Sequence, residues 1–192
     1  MCNNRNQVIR FAGAFTLIEL LIVVAIIAIL ALIAIPNLLE AQVRAKIARV
    51  RSDIRTISVG IEAYAVDKNA YPYFDPHMDH SYLCDAPGLT TPIAYLQTFP
   101  MEVFKPPRIQ SPRQRYYRYY PVEYWVREFP RLHRHPWTWV LMSNGPDLDI
   151  DVNEVSARIV LSGGYMAIYD PTNGTISQGD IWVTNEGAIG EL

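Results

Sequence analysis

From Phe15 to Ile35 the chain reads FTLIELLIVVAIIAILALIAI, twenty-one residues in which only Thr16 and Glu19 are polar. At about 1.5 Å per residue, a helix of that length spans the roughly 30 Å hydrocarbon core of a bilayer. A cleaved secretory signal would carry a shorter apolar stretch, about 7 to 15 residues, followed by a small-residue cleavage site. Here Pro36 and Asn37 lead instead into a second helical pattern. Leu39, Val43, Ile47, Val50, Ile54, Ile57, Ile61 and Tyr64 recur at spacings of three and four, which makes one apolar stripe on a helix. Arg44, Lys46, Arg49, Arg51, Asp53, Arg55 and Glu62 take the other faces. A helix of about fifty residues is too long for one compact domain, whose helices run about 8 to 20 residues. Its first half is therefore expected in lipid or against other apolar surfaces, and its second half on a domain. Pro36 lacks the amide hydrogen and crowds the preceding turn, which predicts a kink or local melting there.

Asp67-Lys68-Asn69-Ala70 ends the helical pattern, and Tyr71-Pro72-Tyr73 opens an irregular stretch rich in Pro and Asp. Thr91 to Leu96 reads as a short helix with Thr91 as N-cap and Pro92 in the first turn. Strands are expected at Tyr116 to Val126, Trp137 to Met142, Tyr165 to Tyr169 and Ile181 to Thr184, all rich in aromatic and β-branched residues. Asp170-Pro171-Thr172-Asn173-Gly174 is a turn signal. Helix first and strands after predicts an α+β domain, with a small antiparallel sheet covering the stripe.

Charge refines this layout. The net charge of −2 over 192 residues conceals Arg5 and Arg10 ahead of the apolar run, seven arginines between positions 108 and 134, and an acidic last stretch. Basic residues just before a span favour a cytoplasmic N-terminus, which sends the remainder across the membrane. Of the two cysteines, Cys2 precedes the span and Cys84 follows it, so no disulfide within the exported part is expected.

Glu19 is the most informative position, because a carboxylate within a span costs about 2.5 to 3.5 kcal/mol at mid-helix. Two readings fit. The side chain lies close enough to the helix end to snorkel or take a proton, or it neutralises a cation inside a packed assembly.

The string Gly13-Ala14-Phe15-Thr16-Leu17-Ile18-Glu19-Leu20, with its short basic leader and with Pro36 downstream, resembles the processing site of type IV pilins and type II secretion pseudopilins. The match covers about the first fifty residues. Tyr71-Pro72 is similar to the segment after the long helix of the major, G-class pseudopilins. The resemblance implies that a prepilin peptidase cuts between Ala14 and Phe15 and methylates the new amine, and that Glu19 pairs with the Phe15 amine of a neighbouring subunit. The family carries Gly immediately before the cut, whereas here Gly13 lies one residue early and the small Ala14 holds that place.

The implied organisation is a cytoplasmic leader 1–14, a transmembrane and filament-core helix 15–36, an amphipathic helix 37–66 and an exported α+β domain 67–192. The implied role is a structural subunit of a periplasmic pseudopilus, with Phe15, Glu19 and Pro36 serving assembly. It is not an enzyme. Its partners would be copies of itself, other pseudopilins, the prepilin peptidase and the inner-membrane secretion platform. A type IV pilus subunit or DNA-uptake minor pilin is the alternative within the family. A membrane-anchored binding protein working through residues 67–192 is the alternative outside it.

Three further clusters carry candidate chemistry. Arg113 to Tyr120 alternates arginine and tyrosine, which suits phosphate and base contacts but also a half-buried strand with a charged outer face. The chain is not basic overall, so nucleic acid is the weaker reading. If the loop Ser143 to Asp151 is extended, Asp147, Asp149 and Asp151 fall on one face, where calcium would relieve their repulsion. It is not an EF-hand: Val152 and Arg158 stand where Gly and Glu are required. The loop does resemble the calcium-binding region of G-class pseudopilins. Asp75, His77, Asp79 and His80 are a thin zinc signal, better read as a surface loop. No nucleophile elbow or phosphate-binding glycine loop occurs, and Asn173-Gly174-Thr175 reads as a turn.

Overall fold

The structure is a computed structural model and describes residues 15–73, 82–121, 138–148, 169–170 and 179–189. Among the described residues, one α-helix, α1 (Leu17–Lys68), is followed by a four-stranded antiparallel sheet of β1 (Arg118–Pro121), β2 (Trp139–Ser143), β3 (Ile181–Thr184) and β4 (Gly187–Ile189), paired in sequence order. The fold is α+β and pilin-like.

α1 starts at Thr16, whose side chain caps it, and stops after Lys68, where Asn69 takes the left-handed conformation (φ 52°) that ends many helices. The helix is continuous through Pro36, so the expected local melting does not occur. An isolated proline removes one hydrogen bond, and helix-forming Leu, Ile and Ala on both sides carry the turn across it.

The chain divides into two compact units, residues 1–39 and 40–192. In the first, the described residues are helix from Leu17 onward, with no buried side chain. In the second, Ile47, Val50, Ile54, Ile57, Gly60 and Ile61 are buried, with Val43 and Tyr64 packed at the ends of the row. Leu39, expected to begin this stripe, is 56% exposed and belongs with the apolar segment before it.

The row packs against Tyr117, Tyr119, Trp139 and Leu141 of the sheet region and against Leu83, Leu89, Leu96 and Phe104 of the connecting segment. Alternate residues of β1 and β2 thus reach the helix, as strand geometry requires. Yet Tyr120, Val140 and Met142, on the opposite face, are buried too. The expected charged outer face of β1 is therefore absent: Arg118 itself is buried.

Polar ties fix the helix on the sheet. The Tyr117 hydroxyl donates to Asp53 Oδ2 (2.9 Å), Trp139 Nε1 to Glu62 Oε1 (2.8 Å) and the Tyr71 hydroxyl to Glu62 Oε2 (3.3 Å). Each bond satisfies a polar atom carried inward by an aromatic ring, as buried Tyr and Trp generally require.

Three short 3-10 turns, Leu83–Asp85, Pro87–Leu89 and Pro112–Arg115, shape the connecting segment. The segment runs along β1, with Tyr82 bridging to Arg118 and Met101 to Tyr116. No helix forms over Thr91 to Leu96. Thr91 donates its amide and hydroxyl to Pro87 O, ending the preceding turn, and the Leu96 amide returns to Leu89 O.

Among the strands, β3 matches its expected bounds, while β2 starts two residues later and ends one later than expected. β1 starts at Arg118 and is described to Pro121. The unexpected β4 is a hairpin partner of β3 across Asn185-Glu186, with Thr184 opposite Gly187. Positions 122–126 and 165–168, both expected as strand, lie outside the described residues, as does most of the 170–174 turn. Tyr169, the last position of that expected strand, is not in a strand; its amide donates to Asp180 O.

Candidate assembly site at the head of the helix

The residues expected to matter most lie in the first turn of α1. Phe15 is 78% exposed and precedes the helix. The Thr16 amide and hydroxyl both donate to Glu19 Oε2, at 2.9 and 2.6 Å, and the Glu19 amide donates back to Thr16 Oγ1 at 3.3 Å. This is a capping box, in which side chains three apart satisfy each other's orphan amides. The carboxylate also favours the positive end of the helix dipole. The Thr-x-x-Glu spacing was visible in the sequence, but the apolar setting drew attention to the charge alone.

The reciprocal bonds use one carboxylate oxygen. Glu19 Oε1 makes no hydrogen bond among the described residues, so it can accept a cation while the cap stays closed. Glu19 is the sole charged residue from Phe15 to Leu39. The helix is long and apolar enough to cross a membrane, and its most apolar window has no buried residue. Ala14, on the expected leader side of the cut, lies outside the described residues. Pro36 sits within α1, so the structure does not bring it together with Phe15 and Glu19 at the helix head.

The other candidates fare differently. Tyr117, Tyr119 and Tyr120 are buried, so their rings are not available to stack on bases. Asp147 Oδ2 accepts from the Gly179 amide (2.9 Å), while Gly145 adopts φ +71° directly against the Gly179 carbonyl. An added Cβ there would lie 2.2 Å from that oxygen, so only glycine fits. Asp149 and Asp151 lie outside the described residues, as do Asp75, His77, Asp79 and His80. Among the described residues no three His, Cys, Asp or Glu side chains converge as a metal cluster. The described part of the acidic loop therefore supplies one carboxylate, already engaged with an amide, which does not by itself fit calcium.

Two groups, one buried and one half-buried, were not legible in advance. Glu102 is 2% exposed; its Oε1 accepts from the Phe104 amide (2.9 Å) and the Ser143 hydroxyl (2.8 Å). Burial pushes its carboxyl up to about 7, against the partial opposing effect of those bonds and of Arg118. The Cys84 thiol is pushed up to about 11, chiefly by burial and then by Asp85 beside it, which keeps it protonated and unreactive at neutral pH.

These features define a class: a protein whose capped, acid-bearing apolar helix is long enough to cross a membrane and is followed along the chain by an α+β domain. The family described as "Prokaryotic N-terminal methylation motif" matches residues 10–35. Over 63 residues the chain is 36% identical to the type II secretion system core protein G of Pseudomonas aeruginosa, covering 33% of this chain and 44% of that protein. It is 51% identical over 62 residues to the type IV wide pilus major component of Thermus thermophilus, covering 32% and 47%. It is 43% identical over 60 residues to the type IV major pilin of Myxococcus xanthus, covering 31% and 27%. The matched part thus spans less than half the length of each relative. No solved structure matches the chain. Over its N-terminal third the chain is therefore similar to type IV pilins and a type II secretion pseudopilin.

Proposed function

We propose that the chain is a structural subunit of a periplasmic pseudopilus in type II protein secretion. It is inserted in the bacterial inner membrane with its N-terminus cytoplasmic and residues 67–192 exported, processed between Ala14 and Phe15, and packed through α1 against copies of itself and other pseudopilins. The peptidase that cuts it and the inner-membrane secretion platform are its other partners, and it carries out no catalysis. The observation that supports this reading is the geometry of Glu19. Its cap occupies one oxygen and leaves the other to meet the amine that cleavage would create on Phe15 of an adjacent copy. Such a pair would set axial register, while the exposed apolar surface supplies the attraction.

A type IV pilus subunit is the second reading, favoured by the higher identities to the two pilins, 51% and 43% against 36%. Sheared cell-surface filaments containing the chain would select the pilus, and loss of protein secretion on its deletion would select the pseudopilus.

The decisive variants are Glu19→Ala and Glu19→Gln. Glutamine retains the cap, since Gln serves in capping boxes as Glu does, but removes the charge. Both variants should insert in the membrane and neither should form filaments. Normal filaments from Glu19→Gln would overturn the charge-pairing role.

We also propose that calcium joins the Asp147, Asp149 and Asp151 loop, adding outside oxygens to the one carboxylate described. Titrating the metal-free full chain with calcium should raise its thermal midpoint, and Asp149→Asn should abolish the rise. An unchanged midpoint would remove calcium from the assignment.

A further inference from the structure

Residues 20–39 carry no formal charge. The next sixteen positions hold Arg44, Lys46, Arg49, Arg51 and Arg55 against Glu40 and Asp53. All five cations are exposed, with the Arg44 and Arg49 side chains 74% and 70% accessible. At 100° per residue they flank an outward strip of Ala41, Ala45, Ala48 and Ser52: Lys46 and Arg49 lie on one side, and Arg44, Arg51 and Arg55 on the other. The strip is small and the cations long, so the charged groups stand clear of the helix on both flanks.

Among the described residues, Arg44 and Arg49 each have a carboxylate within 4 Å, and Arg51 has contacts of its own. Arg44 pairs with Glu40 on the exposed surface, a kind of pair that contributes little and exchanges readily, and Arg49 makes a long contact (3.8 Å) with the half-buried Asp53, whose Oδ2 already accepts from the Tyr117 hydroxyl. Lys46 and Arg55 have no ion-pair partner among the described residues. The layout also runs against the usual distribution of charge. Five Lys or Arg follow the span and two precede it, although such residues near a span favour the cytoplasmic side. Long exported domains cross largely regardless of charge, but the cations still meet whatever anions lie at that membrane surface.

We propose that this ring of cations binds the phosphate groups of anionic phospholipids at the surface from which the exported domain emerges. A spanning segment necessarily brings lipid phosphates to the level of the residues that follow it. Arg44 comes five positions after the end of the uncharged run, and helical side chains lean back toward the N-terminus of their helix. The guanidinium and ammonium groups are thus carried toward the headgroups, where basic residues are held by the surface potential. This contact would hold the chain at a fixed depth until it leaves the membrane. The proposal rests on the membrane span alone, so a failed filament assay with Glu19 variants leaves it untouched.

The test uses the full chain in nanodiscs of phosphatidylcholine mixed equally with phosphatidylglycerol. After partial delipidation, mass spectrometry counts the lipids retained. Phosphatidylglycerol should be enriched roughly thirtyfold or more, as expected for two or three basic residues at a charged surface. Enrichment should fall at least tenfold in Arg44→Gln/Lys46→Gln/Arg49→Gln, which leaves Arg51 and Arg55, and should disappear at about 1 M salt, where the screening length is about 3 Å. It should persist in Arg44→Lys/Arg49→Lys. Intrinsic tryptophan fluorescence verifies that each variant keeps its fold. Equal retention of the two lipids, or equal enrichment in the charge-removed variant, overturns the proposal. So does amide protection of residues 40–55 by inorganic phosphate in phosphatidylcholine discs that matches protection by phosphatidylglycerol.

Discussion

The two halves of α1 are the same secondary structure in opposite circumstances. Up to Leu39, apolar residues cover every face and none is buried; beyond it, one row is buried and the others carry charge. Leu20, Ile26 and Leu32 are 59%, 52% and 76% exposed, whereas Val50, Ile57 and Ile61 are fully buried. Leaving a Leu or Ile in water instead of burying it costs about 1.5 to 3 kcal/mol. A row of such residues without an internal partner defines a surface meant for lipid or for other chains. The second half is satisfied within its own domain, so it can be read as architecture, and the first half can be read only as interface.

The comparison breaks most sharply by cutting the same side chain from each half. Ile54→Ala removes a buried group between the helix and the sheet, and should destabilise the domain by about 2 to 5 kcal/mol. Ile26→Ala should leave domain stability unchanged. Urea unfolding of each full-length variant in detergent, followed by tryptophan fluorescence, measures both. A loss of stability in Ile26→Ala would mean that the apolar half also contributes to the stability of the domain.

A titration sharpens the same contrast, because only the second half lies over a domain with a buried acid. Glu102 has its folded value raised from 4.5 to about 7 by burial. Below 4.5 both states hold the proton. As pH rises toward 7 the unfolded chain releases it first, so stability falls across that window, by up to about 3 kcal/mol, and levels off above it. Glu102→Gln keeps an oxygen for the Phe104 amide and Ser143 hydroxyl and carries no proton to lose. The variant should match the wild type near pH 4.5 and exceed it by about 1 to 3 kcal/mol at pH 8. Urea midpoints across this range measure the difference, and parallel pH profiles would refute the assignment.

What the sequence revealed follows the same division between local and distant causes. The stripe from Val43 to Tyr64 was legible because a helix against a domain imposes a 3.6-residue period. Leu39 was misassigned because apolar residues on every face of the first half make any stripe extendable backwards. The short β4 gave too little signal in Gly187-Ala188-Ile189, although the Asn185-Glu186 turn before it was available. Thr91 has the chemistry of an N-cap, but its hydroxyl donates backward to Pro87 O, and propensity alone does not choose between these uses. Around the candidate site, Phe15 and Glu19 were plain from type and spacing. The burial of Glu102 depends on Ser143, 41 positions away, and no local pattern announces such a contact.

The smallest expected effect lies at Gly60, the one glycine in the buried row of α1. An alanine Cβ there would come within 2.8 Å of Leu96 Cδ2 and 2.9 Å of its Cγ, with the Tyr95 carbonyl at 3.3 Å. Replacing a helical glycine by alanine normally gains about 1 kcal/mol. Here the gain is opposed by overpacking of about 1 to 3 kcal/mol, since Leu96 is buried and the Tyr95 carbonyl cannot swing aside as a side-chain tip could. The net expectation for Gly60→Ala is a loss of about 1 kcal/mol, measured by urea unfolding. Leu96→Ala makes room for the new methyl, so the double variant should be more stable than the sum of the two single losses. Simple additivity would show that the helix does not approach Leu96 this closely. A net gain from Gly60→Ala would place it among ordinary exposed helical glycines, erasing the distinction between the two halves of α1 at that turn.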